Sequence, residues 1–85
     1  MKLNEETKRS LLGLVGCCLK DRLDIQKDVA GPHFNGCFQD AIESLELLKT
    51  QRLIFFERTK SGRAIRDYGL TCQGYDLWTS MSGKG

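Results

Sequence analysis

Along the first fifty residues apolar side chains recur three and four positions apart, and after residue 52 they recur every second position. The first period is that of a helix with one buried face, the second that of a strand. Leu11, Leu12, Leu14, Val15, Cys18 and Leu19 predict a first helix from Asn4 to about Lys20. Asn4 can cap it, Glu5 and Glu6 suit the positive end of its dipole, and Lys20 and Arg22 suit the negative end. Gly13 and Gly16 either weaken this helix, each by something under about 1 kcal/mol, or admit a closely packed neighbour. A short second helix is expected from Asp24, its cap, to Ala30, with Ile25, Val29 and Ala30 facing inward. Gly31-Pro32 then breaks the chain. A third helix runs from Phe34 or Asn35 to Gln51, with Phe38, Ala41, Ile42, Leu45 and Leu48 on one stripe.

Residues 53–58 and 64–70 are rich in aromatic and β-branched side chains, and the polar Thr59-Lys60-Ser61-Gly62-Arg63 lies between them. This predicts a two-stranded β-hairpin. Ile54, Phe56, Tyr68 and Leu70 are expected on its core face, and Phe55 and Ile65 on the opposite, partly exposed face. Thr71 caps a short last helix, Cys72 to about Met81, that carries Tyr75, Leu77 and Trp78. Two strands alone are unstable in water, so the helices must cover one face of the ribbon. The fold class is therefore α+β, with three helices, a hairpin and a short C-terminal helix. A single domain is expected over 1–81, with 82–85 as a disordered tail.

Composition narrows the function classes. In 85 residues there is room for one core, and 40% hydrophobic with 28% charged residues is a globular balance. The net charge of +2 and pI near 8.4 fall short of the pI above about 9 of a dedicated nucleic-acid coat, so the distribution of charge matters more than its total. Cys17, Cys18, Cys37 and Cys72 contain no C-x-x-C, and His33 is the only histidine, so no metal site is expected; buried free thiols in a reducing compartment are. Leu14-Val15-Gly16-Cys17 looks like a lipoprotein cleavage site, but the apolar run is too short and Glu5 and Glu6 precede it. With no membrane-spanning stretch either, a cytoplasmic location is expected.

The leucine-spaced helix 38–48, the Leu53-Ile54 strand start and Tyr68-Gly69-Leu70-Thr71-Cys72-Gln73-Gly74 together resemble the winged-helix repressors of the PadR and ArsR/MarR type. The last stretch matches the Y-x-L-T-x-x-G junction of those families, and the resemblance covers about half the chain. One position departs: where those families carry a glycine before the strand, this chain has Arg52, so Gln51 or Arg52 must end the third helix in a strained conformation. The resemblance implies a winged helix-turn-helix whose third helix enters the major groove of double-stranded DNA, with the hairpin as a wing on phosphates or minor groove.

The hairpin suits that role. Arg58, Lys60, Arg63 and Arg66 cluster on it, with Arg52 at its base, against Glu57 and Asp67. The third helix suits it less well. His33, Asn35 and Gln39 are expected at its first turn as base-reading groups, but Asp40, Glu43 and Glu46 follow on the exposed side and repel a polyanion. Two readings stand: a DNA-binding transcriptional regulator, or a protein-interaction module that offers the acidic helix face to a basic partner. No enzyme is expected, because Cys37 and His33 lack a third orienting group and no glycine-rich phosphate loop is present; no cofactor is expected either. A homodimer through the first and last helices is the remaining partner expected.

Overall fold

The computed structural model describes residues 3–17 and 20–82; Cys18 and Leu19 of the expected first stripe, and 83–85 of the expected tail, lie outside the described residues. Asn4 caps α1 (Glu5–Cys17) as its side chain allows: Oδ1 accepts the Thr7 N–H at 2.8 Å and the carbonyl accepts the Lys8 N–H at 2.9 Å. Leu11, Leu12 and Val15 are buried on its inner face. The two glycines serve close packing. A Cβ on Gly13 would stand 3.4 Å from Trp78 Nε1, and one on Gly16 would stand 2.8 Å from Leu70 Cδ1.

Arg22 does not belong to the end of that helix. Arg22–Asp24 form a short strand, β1, and the sheet has three strands where two were expected. β1 pairs antiparallel with the second hairpin strand, Arg22 opposite Arg66, Leu23 opposite Ile65 and Asp24 opposite Ala64. Three residues with one apolar side chain are too short to declare a period, which is why the strand escaped the sequence pattern.

Asp24 caps the next helical stretch, its Oδ1 accepting the Lys27 N–H at 2.9 Å. That stretch is wound as a π-helix over Ile25–Ala30 and continues as α2 (Gly31–Phe34), so Gly31-Pro32 does not break the chain. In a regular α-helix the Pro32 ring would press on the carbonyl four residues back. Here the coil is wider, with the Gly31 N–H bonded to the Gln26 carbonyl five residues back, and the proline sits in the first turn of the α-helical part. The break comes at Asn35 and Gly36, both with positive φ (53° and 83°).

The third long helix, α3 (Phe38–Thr50), accordingly starts at Phe38 and not at Phe34 or Asn35. Ala41, Leu45 and Leu48 are buried, and Phe38 and Ile42 flank the core. Arg52, with φ 62°, ends the helix: its N–H bonds to the Lys49 carbonyl (2.9 Å), and the Leu53 N–H to the Leu48 carbonyl (3.0 Å). This is the two-bond left-handed cap that normally uses glycine, and an arginine there carries roughly 1 kcal/mol of backbone strain.

β2 (Ile54–Arg58) and β3 (Ala64–Leu70) form the hairpin, and β3 is the central strand. Pairing runs Ile54 with Leu70 and Phe55 with Gly69, then slips by one to Glu57 with Arg66. Asp67 takes a left-handed conformation (φ 50°) at the slip. This bulge corrects one expectation: the extra residue resets the alternation, so Ile65 is fully buried alongside Tyr68. Ile54 and Phe56 are buried as expected, and Leu70 is half-buried against Gly16. Phe55, 48% exposed, leans over Gly69 on the outer face.

Thr71 ties the end of α3 to the start of α4 (Cys72–Ser82). Its Oγ1 donates to the Arg52 carbonyl (2.6 Å) and accepts the Gly74 N–H (3.0 Å), while its N–H donates to the Leu53 carbonyl (3.0 Å). Gly74 is required here, because a Cβ would lie 1.8 Å from the Leu53 carbonyl oxygen. The result is an α+β domain in which α1, the π-helical turn and α3 cover one face of the sheet.

Candidate nucleic-acid interface

The hairpin cations stand on β2, β3 and the loop between them, and all four are exposed: Arg58, Lys60, Arg63 and Arg66. Arg58 folds over the loop, its Nη2 donating to the Gly62 carbonyl at 2.9 Å. Gly62 supplies the turn with φ 74°. Thr59 and Ser61 hydroxyls lie 3.2 Å apart at the tip, and the Arg63 N–H donates to Ser61 Oγ at 3.2 Å.

Two open clefts border this ribbon. On the α3 side a cleft of about 550 Å³ gathers Arg58 and Arg63 from the hairpin, Lys27 and Gln26 from the π-helical turn, and Phe38 from the first turn of α3. Cys37 is the residue before that helix, and no side chain caps it, so the N–H groups of the first turn lack a protein partner of that kind. On the β1 side a cleft of about 790 Å³ gathers Lys20, Arg22, Lys60, Arg63 and Arg66. Lys20, Arg22 and Lys27 were not read from the sequence as part of a site. The strand that brings Arg22 across from Arg66 is a tertiary fact; its only sequence signal was the charged–apolar–charged triplet Arg22-Leu23-Asp24.

The three expected base-reading groups do not share one turn. His33 belongs to α2 and is half-buried in an apolar depression shared with Leu14, Cys17, Leu23 and Tyr68. Burial holds its pKa below the usual histidine value. Asn35 is exposed in the left-handed break that ends α2. Gln39 alone lies in the first turn of α3, and its amide donates to Glu43 Oε2 at 3.1 Å. The displacement follows from the late start of α3: the residues expected to open that helix close the previous one.

Among the described residues, no carboxylate pairs with Arg22, Lys27, Arg58, Lys60 or Arg63, and Asp40, Glu43 and Glu46 make no ion pair. Arg66 lies 3.9 Å from Glu57 and 4.0 Å from Asp67, at the limit of contact. Asp28 is committed internally, accepting from Lys20 Nζ at 3.0 Å and from the Asp24 N–H at 2.8 Å. Burial opposes its charge, but the Asp24 N–H and the Lys20 and Lys27 cations outweigh that and hold its pKa below the usual carboxylate value.

The cysteines correct another expectation. Cys17, Cys37 and Cys72 are exposed, not buried, because each falls at a helix end off the apolar stripe. Among the described residues no three metal-ligating side chains gather, and no helix is long and apolar enough to cross a membrane. Of the expected dimer faces, α1 and α4 pack on each other within the chain through Gly13 and Trp78, which leaves Tyr75, 57% exposed, on the outside. Set against family models, curated proteins and solved structures, the chain matches none.

Proposed function

We propose that the chain is a winged helix-turn-helix module that binds double-stranded DNA, as a regulator of transcription. One observation carries the reading: cations from separate elements, Lys27 from the π-helical turn and Arg58 and Arg63 from the hairpin, converge on the uncapped first turn of α3 with no carboxylate paired to them. Free N–H groups at a helix start and flanking guanidinium groups are complementary to backbone phosphate. The order of elements supports the same reading, since a strand between the first two helices pairs with the wing hairpin.

The contribution of α3 to base reading is small. Gln39 is the one expected reader in its first turn, and Glu43 already engages its amide. Affinity therefore rests on phosphates, with weak sequence preference. Titration of salt against binding to a random duplex tests this. With about four phosphates neutralised, the log–log slope is near −3.6, and alanine at Lys27, Arg58 and Arg63 together flattens it by about 2.7. A folded protein with no measurable affinity at about 50 mM salt overturns the reading.

The unpaired carboxylates Asp40, Glu43 and Glu46 favour a second reading, a protein-interaction module whose α3 receives a basic partner. Winged helices serve both uses, and the site, not the fold, decides between them.

A further inference from the structure

We propose that the cleft between β1 and the hairpin is a second binding site for closely spaced phosphate groups, centred on Arg22 and Arg66 and sharing only Arg63 among its cations with the α3 cleft. The strand register is the starting point. Arg22 and Arg66 are direct partners across β1 and β3, on the outer face of the sheet, and like charges so placed oppose sheet formation. The next position in that row, on β2, is Glu57, but it reaches Arg66 only at 3.9 Å and leaves Arg22 unpaired. A bridging anion converts this repulsion into attraction, and two guanidinium groups side by side present parallel N–H donors to phosphate oxygens.

The surroundings select for high anionic charge. Lys20, Lys60 and Arg63 line the same cleft. The carboxylates there are already engaged: Asp28 with Lys20 and the Asp24 N–H, and Asp24 with the Lys27 N–H. Thr59 and Ser61, whose hydroxyls are bonded to each other, also line the cleft. The cleft, about 790 Å³ and open to solvent, has room for several phosphate groups. Such a ligand has one chemistry and two sources, a free oligophosphate or a second run of nucleic-acid backbone.

Inorganic tripolyphosphate is the probe, titrated into the full chain at fixed ionic strength and followed by amide resonances and thermal melting. Saturable shifts are expected at Arg22, Ala64 and Arg66, with a rise in melting temperature. The Arg22→Gln, Arg66→Gln double variant loses affinity at least tenfold, whereas Lys27→Gln, Arg58→Gln keeps it within twofold. Without the probe, the double variant melts no lower than the parent chain, because the like-charge pair is gone, so loss of binding is not loss of fold. Unchanged affinity in the double variant, or shifts confined to the Lys27 and Arg58 cleft, overturns the proposal. A duplex that displaces tripolyphosphate identifies backbone as the source, and a duplex that binds alongside it identifies a free oligophosphate. A chain that binds tripolyphosphate here but no duplex anywhere refutes the DNA reading and leaves this site standing.

Discussion

On the hairpin and β1, cations other than Arg66 stand unpaired on strands whose inner faces deliver Leu23, Ile54, Phe56, Ile65 and Tyr68 to the core. Along the outer side of α3, ahead of Lys49 in its last turn, the charges are carboxylates, Asp40, Glu43 and Glu46, while the buried side delivers Ala41, Leu45 and Leu48. Both regions use one face for packing and leave the other for charge. Yet the opposite charges do not meet: the only ion pairs among the described residues involve Lys20 and Arg66, and most of their side chains are exposed. Exposed pairs of that kind stabilise by at most about 1 kcal/mol. The two charged faces thus contribute little to holding the fold, and each is available to an outside partner of the opposite sign.

The largest expected effect tests whether the basic face depends on the junction beneath it. Gly74→Ala places a Cβ against the Leu53 carbonyl and should cost about 3 kcal/mol, read as a lower denaturation midpoint, with duplex binding lost in the same transition. A variant as stable as the parent would show that the hairpin is not anchored there. Neutralising the acidic face comes next. Asp40→Asn, Glu43→Gln and Glu46→Gln together should strengthen duplex binding roughly three- to tenfold at low salt, about 1 kcal/mol, by removing like charge near the phosphates. Unchanged affinity would place α3 away from the DNA and break the opposition of the two faces. The smallest effect is a gain. Arg52→Gly relieves the positive φ at the end of α3 and should stabilise the fold by about 0.5–1 kcal/mol, with the salt slope unchanged. A loss of stability would mean that the arginine side chain holds the hairpin base in place.

Much of this was legible because local chemistry announced it. Asn4, Asp24 and Thr71 cap the helices they were expected to cap, and the stripe of α3 buries Ala41, Leu45 and Leu48. Where the reading failed, one element had overridden the preference of another. Gly31-Pro32 reads as a break, but the π-helical turn before it removes the clash that makes proline a breaker. That single difference moved the start of α3 to Phe38, and with it His33 and Asn35 out of the candidate site. Ile65 alternates to the wrong face only if no residue is inserted between the strands, and nothing in Arg66-Asp67 marks the bulge in advance. The basic cluster was half legible. Arg58, Lys60, Arg63 and Arg66 are neighbours in sequence, whereas Lys20, Arg22 and Lys27 join them only in the folded chain, Arg22 through the pairing of β1 with β3.

The bond from Thr71 to Arg52 spans 19 positions of chain and clasps the two ends of the ribbon, while β1 holds β3 near the tip, Asp24 opposite Ala64. A loop whose ends are already clasped loses little more entropy when its tip grows, because closure entropy rises only with the logarithm of length. Residues 60–62, inside the bonds of Thr59 to Ala64 and of Ile25 to Arg63, therefore form an exchangeable cartridge: its length and its cation can be rewritten in an engineered or diverging sequence while the clasp, β1 and the inner faces of β2 and β3 keep the architecture intact.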